Sequence, residues 1–359
     1  MLEPVYTHER NFGCRLTEMT YRGLKSLVME NELLRVTILV DKGTDIFEFL
    51  HKPTDTDFMW RSPLGVRGTR NFVPTNPRAD GPFLDYYFGG WQECFPVGGY
   101  PTTFADGEFG LHGETPLMPW NMQILLDTPE CISVKFDVRT YRSPLRIEKV
   151  VTLHRWQANL QFHEIVTNEG DVPFEIVWGH HPAFGAPFLD NSCVIDVPGA
   201  KVRVVEAEST TRLESGEDYT WPFVMGRDGS MIDLSRIPGP ETQSHDLAFL
   251  FDLEAGWYGL TNQARKVGFG MYWPTEVFNS IWFWQVYLGS MVHPWYGRTY
   301  NIALEPWTAP YHHLAEAQAH SATRTMEPGE VLDIRFGAVA YAGLERVTGI
   351  STSGDVSGT

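Results

Sequence analysis

Cysteine is scarce in this 359-residue chain: Cys14, Cys94, Cys131 and Cys193 lie far apart, with no CxxC pair among them. That spacing supports neither a disulfide scaffold nor a structural zinc site. Positive charge is short as well. With 28 Lys+Arg against 45 Asp+Glu the net charge is −17, so the non-specific attraction to phosphate that underlies nucleic-acid binding is missing, and anionic membrane surfaces are unsuitable partners. The opening MLEPVYTHERNFGC carries Glu3, His8, Glu9 and Arg10 where a secretory signal needs an apolar core. A reducing, cytoplasmic compartment is therefore expected. Residues 277–297 lack Asp, Glu, Lys and Arg over a length that could cross a bilayer. Asn279, Ser280, Gln285, Gly289, Ser290, His293 and Pro294 interrupt the run, so it reads as a buried aromatic strand, SIWFWQVYL, ending at a loop.

Aromatic residues are plentiful: 12 Trp, 14 Tyr and 22 Phe, with charged residues at 20%. Such a chain folds, and one of this length buries about 75% of its unfolded surface, enough for a core without metal or disulfide. Length alone allows roughly two domains at about 150 residues each, yet one large β architecture can absorb it all. No composition break, linker or repeat divides the chain, which predicts a single domain over 1–346. The small, polar stretch 347–359 predicts a disordered tail.

Period-two segments recur. Ile132, Val134, Phe136 and Val138 alternate with polar neighbours, as do Val202 with Val204, and Val267 with Phe269 and Met271. The runs 34–39 and 174–178 are almost continuously apolar and suit strands covered on both faces. Turn signals between them, such as Asp41-Lys42-Gly43 and Glu327-Pro328-Gly329, complete an all-β pattern. One helix is predicted over 311–322, with Thr308 as a candidate cap. Long loops are predicted over 61–83 and 98–111, and loops of that length are often functional.

Four islands set reactive side chains among Gly, Pro and aromatics: FGGWQECFPVGG (88–99), FGLHGE (109–114), WGHHPAFG (178–185) and NIALEPW (301–307). In an extended WGHHPAFG, His180 and His181 project to opposite sides, so only one can enter a given pocket. In NIALEPW, Ala303 and Glu305 share one face while Ile302 and Leu304 share the other. Singly, each of these residues reads as well as a structural group: a strand-end histidine, a salt-bridged glutamate, a turn histidine at His112.

The ordered combination of a loop HG, an HPxF strand and a late LEP strand resembles the aldose 1-epimerase, or galactose-mutarotase-like, family. The opening LKSLVMENELLRVTILVDKGTDIFEFLHKPTDTDFMWRS and the closing MEPGEVLDIRFGAVAY fit the same family, so the resemblance spans most of residues 20–342. It implies an all-β fold, a galactose-mutarotase-like β-supersandwich of mostly antiparallel strands with few short helices. It implies His181, not His180, as the general acid on the ring oxygen, Glu305 as the base on the anomeric hydroxyl, and His112 as a hydrogen-bonding contact to the sugar. It also implies a sugar-binding aspartate on a later loop, for which Asp246 in SHDLAFL is the candidate. The family's substrate-binding arginine is not placed by its motif; Arg67, Arg70 and Arg78 all lie in the long loop, and Arg70 is carried as the candidate. FGGWQECFPVGG looks closer to the hexose-phosphate epimerase branch, which leaves open whether the sugar is neutral, phosphorylated or sulfonated. Trp91 and Trp178, each beside a motif, are the candidate aromatic faces for the sugar among Trp91, Trp178, Trp282, Trp284 and Trp307, and Glu93 in the same island is a further candidate contact.

The chemistry is intelligible from the residues themselves. Interconverting α and β anomers takes a proton from the anomeric hydroxyl and gives one to the ring oxygen, so the ring opens to an aldehyde and recloses on either face. One base and one acid suffice, and the step has no use for a metal or a redox cofactor; no GxGxxG signature is present. A glutamate of ordinary pKa, about 4.3, is already ionised at neutral pH, whereas a free histidine at about 6.5 is only partly protonated. Two other classes use similar residues. A glycoside-processing enzyme would pair Glu305 with Glu93 or Glu114 at carboxyl separations of about 5 to 9.5 Å. A non-catalytic carbohydrate-binding protein would use the cleft without turnover. The expected partner in each is a small sugar, with a homo-oligomer also open.

Overall fold

The computed structural model describes residues 10–68, 80–206 and 211–359. Two large sheets dominate it, one of 12 strands and one of 8, each built from antiparallel neighbours, with the core packed between them. The alternation that predicts half-buried strands is realised directly. In Cys131–Arg139 the side chains of Ile132, Val134, Phe136 and Val138 are buried while Ser133, Lys135 and Asp137 are half-buried. The glycine-rich strand Val267–Tyr272 is buried throughout, in keeping with its central place between Trp257–Asn262 and Val331–Ala342 in the smaller sheet. Aromatic side chains bind the layers together: Trp91, Phe184 and Phe49 of the larger sheet meet Phe162 and Phe269 of the smaller one at ring separations of 5.0 to 5.2 Å. This is the β-supersandwich expected from the sequence.

Three local expectations need correction. The helix predicted over 311–322 is confined to Leu314–Ala319, preceded by His313 rather than capped by Thr308. Thr308 instead pairs with Trp178, accepting its backbone N–H at 3.0 Å. The predicted loops carry structure: a short helix, Gly81–Tyr86, ends the first, and a hairpin of Thr102–Phe104 with Gly107–Phe109 lies in the second. Residues 347–359 are not a disordered tail. Val347–Ile350 and Val356–Gly358 pair as a hairpin, and Val347 and Ile350 pack with Tyr272, Val339 and Tyr341. Asp196 anchors this segment by accepting the Val347 N–H at 2.8 Å and the Arg346 Nε at 2.7 Å. Val347 and Ile350, three residues apart, reach the same cluster across a break in the pairing register between Val347 and Gly349, and their burial outweighs a polar composition.

The aromatic run 277–297 contains the strand Ser280–Tyr287, and no helix among the described residues is long and apolar enough to cross a membrane. All four cysteines are free thiols.

Candidate active site

The larger sheet runs through Trp91–Cys94, Gly179–Gly185, Tyr300–Trp307, Ser280–Tyr287 and Ser244–Phe251 as successive neighbours. Register on these strands decides which side chains meet. Gly179 lies opposite Trp307 and Ala183 opposite Ala303, so counting inward from both ends puts His181 opposite Glu305. Side chains opposite one another in an antiparallel pair share a face. His181 Nε2 accordingly lies 3.4 Å from Glu305 Oε1. The same rows continue outward, Glu305 facing Trp282 and Ala303 facing Trp284, which in turn faces Leu247.

This face is the floor of a cleft of about 300 Å³ whose lining includes Tyr87, His112, His181, His245, Trp284 and Glu305. Gly179 is required by the floor itself: a Cβ there would sit 2.1 Å from Trp307 Cδ2. With the indole of Trp307 laid flat over that glycine, its Nε1 donates to Glu305 Oε2 at 2.9 Å. The walls come from loops. His112 takes a left-handed backbone (φ 62°), held by its N–H donating to Gly99 O at 3.0 Å, and its ring lies 5.3 Å from that of His181. Its Nδ1 is buried with no hydrogen-bond partner among the described residues, an orphan polar atom in the cleft wall. Tyr87, which follows the helix Gly81–Tyr86, places its hydroxyl 3.3 Å from His181 Nδ1.

Burial sets the protonation. His181 is 5% and Glu305 2% exposed. Loss of solvent pushes the His181 imidazole down to about 4 and holds the Glu305 carboxyl well above its ordinary range, against a smaller opposing effect of the Trp307 N–H. Both shifts favour the uncharged forms, a carboxylic acid beside a neutral imidazole. The expectation of a glutamate with an ordinary pKa is corrected: it ignored desolvation. Burial likewise lowers His112, aided by His181 beside it, and His245, while Tyr87 is raised and keeps its hydroxyl proton.

Four sequence candidates lie elsewhere. Glu93 is opposite His180, and Trp91 opposite Pro182, so both point between the sheets, away from the cleft. There Trp91 Nε1 donates to His180 Nδ1 at 3.2 Å, Trp178 Nε1 donates to Glu93 Oε1 at 3.2 Å, and Lys149 Nζ donates to Glu93 Oε2 at 2.6 Å. His180 Nε2 faces Glu164 Oε2 at 3.3 Å. Glu93, Glu164 and His180 are grouped closely enough for metal ligands. The Trp91 N–H occupies the His180 Nδ1 lone pair, however, which leaves Nε2 carrying the proton toward Glu164, and the Lys149 ammonium already supplies the cation. This is a structural network, not a ligand site. Trp91, Glu93 and Trp178 thus bind no sugar in the cleft. Asp246 fails for another reason: its Oδ1 accepts the backbone N–H groups of Thr211, Arg212 and Leu213 at 2.9 to 3.1 Å, on the face opposite His245. Glu114 is spent on the N–H groups of Tyr141 and Arg142 at 2.8 and 2.9 Å, so neither Glu93 nor Glu114 is the second carboxyl a glycosidase would set beside Glu305. Arg70 and Arg78 lie outside the described residues, and Arg67 Nη1 donates to Asp85 O at 3.4 Å.

Sequence reasoning missed Tyr87 and His245, and it named Trp284 among the tryptophans around the islands but preferred Trp91 and Trp178 for the cleft. Tyr87 carries no motif. His245 does carry a signal, since in SHDLAFL it has the opposite parity to Asp246 and belongs to the other face.

A family model described as "Domain of unknown function (DUF4432)" matches residues 21–338. No curated protein sequence matches the chain. Among solved structures, it is similar to a Klebsiella pneumoniae protein described as a "putative aldose 1-epimerase" (14% identity, 91% of this chain and 83% of that one, TM-score 0.69). It is similar also to a galactose mutarotase related enzyme from Lactobacillus acidophilus (16% identity, 88% and 97%, TM-score 0.60). A third is a galactose mutarotase-like protein from Clostridium acetobutylicum (12% identity, 92% and 99%, TM-score 0.59). At these identities the likeness is one of fold.

Proposed function

This chain belongs to the family described as "Domain of unknown function (DUF4432)", and from that premise we propose that it is an aldose 1-epimerase, a mutarotase acting on a hexose or a phosphorylated or sulfonated hexose. The observation that carries the reading is the His181–Glu305 pair, two proton-transfer groups 3.4 Å apart on the floor of a sugar-sized cleft. The two oxygens that exchange protons in mutarotation, the anomeric hydroxyl and the ring oxygen, are bonded to the same carbon, so a pair of adjacent side chains can serve both.

A bound sugar offers its anomeric O–H to Glu305 and its ring oxygen to His181. The pair acts in the form with the proton on His181: Glu305 takes the anomeric proton, His181 Nε2 gives its proton to the ring oxygen, the bond between C1 and the ring oxygen breaks, and C1 becomes an aldehyde. The pair is then a carboxylic acid beside a neutral imidazole, which is the form that burial favours. Reclosure on the other face of the aldehyde reverses both transfers. No net proton enters or leaves. The Tyr87 hydroxyl on His181 Nδ1 and the Trp307 N–H on Glu305 Oε2 hold each group from behind, and the orphan His112 Nδ1 is free to meet a sugar hydroxyl.

Exchange spectroscopy by NMR on equilibrium mixtures of neutral, phosphorylated and sulfonated aldoses tests the reading. It expects anomer exchange faster with protein than without for at least one of them. Binding without faster exchange in every case would instead leave a non-catalytic sugar-binding protein.

A further inference from the structure

His245 stands on the other side of the cleft from the acid–base pair. Its strand, Ser244–Phe251, is three strands away from Gly179–Gly185 in the sheet, a backbone separation of about 14 Å at 4.8 Å per strand. Between them lies Trp284, half-buried and lining the cleft. The Trp284 ring is 5.9 Å from that of His181 and 6.3 Å from that of His245, so the two imidazoles are no more than about 12 Å apart with an indole between. That is the span of a single pyranose with a hydrogen bond at each end. A sugar lying on Trp284 with its anomeric carbon at His181 and Glu305 therefore brings its far edge to His245.

The hydrogen bonding of His245 fixes what it offers there. Trp284 Nε1 donates to His245 Nε2 at 3.0 Å, and an indole nitrogen can only donate. The Nε2 lone pair is thus used, the ring proton is on Nδ1, and Nδ1 has no hydrogen-bond partner among the described residues. Leu247, two residues on along the strand, shares the face and lines the cleft with apolar surface. At this side of the cleft His245 consequently presents a directed N–H donor beside the apolar surfaces of Trp284 and Leu247.

We propose that His245 is a specificity-determining residue, whose Nδ1–H donates to a hydroxyl on the side of the sugar ring away from the anomeric carbon, at C3 or C4 of a pyranose. The assignment rests on the mutarotase reading of the His181–Glu305 pair. A sugar lacking that hydroxyl leaves a desolvated N–H unpaired, which disfavours it by about 10- to 100-fold.

The test measures anomer exchange for the best aldopyranose and its 2-deoxy, 3-deoxy and 4-deoxy forms with the wild type, His245→Phe and His245→Gln. If the wild type exchanges no aldose, the mutarotase reading itself fails; if it does, His245 is tested on its own. His245→Phe is expected to raise KM for the parent sugar about tenfold or more, by a larger factor than kcat falls. His245→Gln, which can still accept from Trp284 and donate to the sugar, should recover most of that loss. Either the 3-deoxy or the 4-deoxy sugar should be a poor substrate for the wild type and lose nothing more in His245→Phe. An unchanged KM, or equal losses for all four sugars, overturns the proposal. His245→Ala serves the same comparison if the Phe variant does not fold.

Discussion

Trp307 Nε1 donates to Glu305 Oε2 at 2.9 Å, from an indole that lies against Gly179, where a Cβ would collide with it. The arrangement leaves Oε1 as the oxygen that meets His181. Gly179→Ala puts a methyl 2.1 Å from Trp307 Cδ2 and forces the ring away. The expected result is a destabilisation of about 1 to 3 kcal/mol, the usual cost of overpacking, together with loss of anomer exchange at temperatures where the variant is still folded. Thermal melts and exchange rates on the same sample check it; wild-type stability would contradict it.

The pH dependence of exchange follows from one shared proton. A second proton binds the pair as pH falls through about 4, where His181 titrates, and a doubly protonated pair has no base left. Activity should therefore persist down through pH 6 and fall on the acid side near 4. An acid limb centred at about 6.5, the value of a free imidazole, would show that burial does not govern His181.

Tyr87→Phe removes the hydroxyl 3.3 Å from His181 Nδ1 while keeping the ring that packs against Phe83 and Trp295. One hydrogen bond contributes about 0.5 to 1.5 kcal/mol, so kcat should fall up to about tenfold with the melting temperature little changed. A fully active variant would remove Tyr87 from the positioning of the imidazole.

Beneath the strand Gly179–Gly185, burial pushes Glu164 up to about 7, against the opposing pull of Lys149. A carboxyl raised in the folded state gives stability that is complete below its unfolded value of about 4.5 and is lost as pH rises through about 7. The wild type should thus melt at progressively lower temperature between pH 5 and 8, and Glu164→Gln should flatten that slope. Parallel slopes for the two proteins would contradict the assignment.

Parity along a strand was legible in the sequence, and register across strands was not. Period two separated His181 from His180 and Glu305 from Leu304 correctly. The same parity separates Glu93 from Gln92 and His245 from Asp246, but which member enters the cleft depends on the neighbouring strand: Glu93 falls beside His180 and is carried to the core. Trp284 reaches the cleft because it pairs with Ala303, a partner 19 residues away that no local pattern identifies. Motifs picked out His181, Glu305 and His112, which the structure brings to one cleft, since each carries chemistry within a few residues. The depth of their burial, and with it the protonation of the pair, arises from Tyr87, Trp284 and Trp307 closing around them, which only the packed structure shows.

The most direct measurement is the anomer exchange rate of Glu305→Gln and His181→Asn, each confirmed as folded by its melt, on an aldose that the wild type accelerates. Neither an amide at 305 nor one at 181 can pass a proton, and a positioned acid or base contributes about 10²- to 10⁴-fold, so both variants should fall by at least about 100-fold. Near wild-type exchange in either variant would contradict proton transfer by this pair.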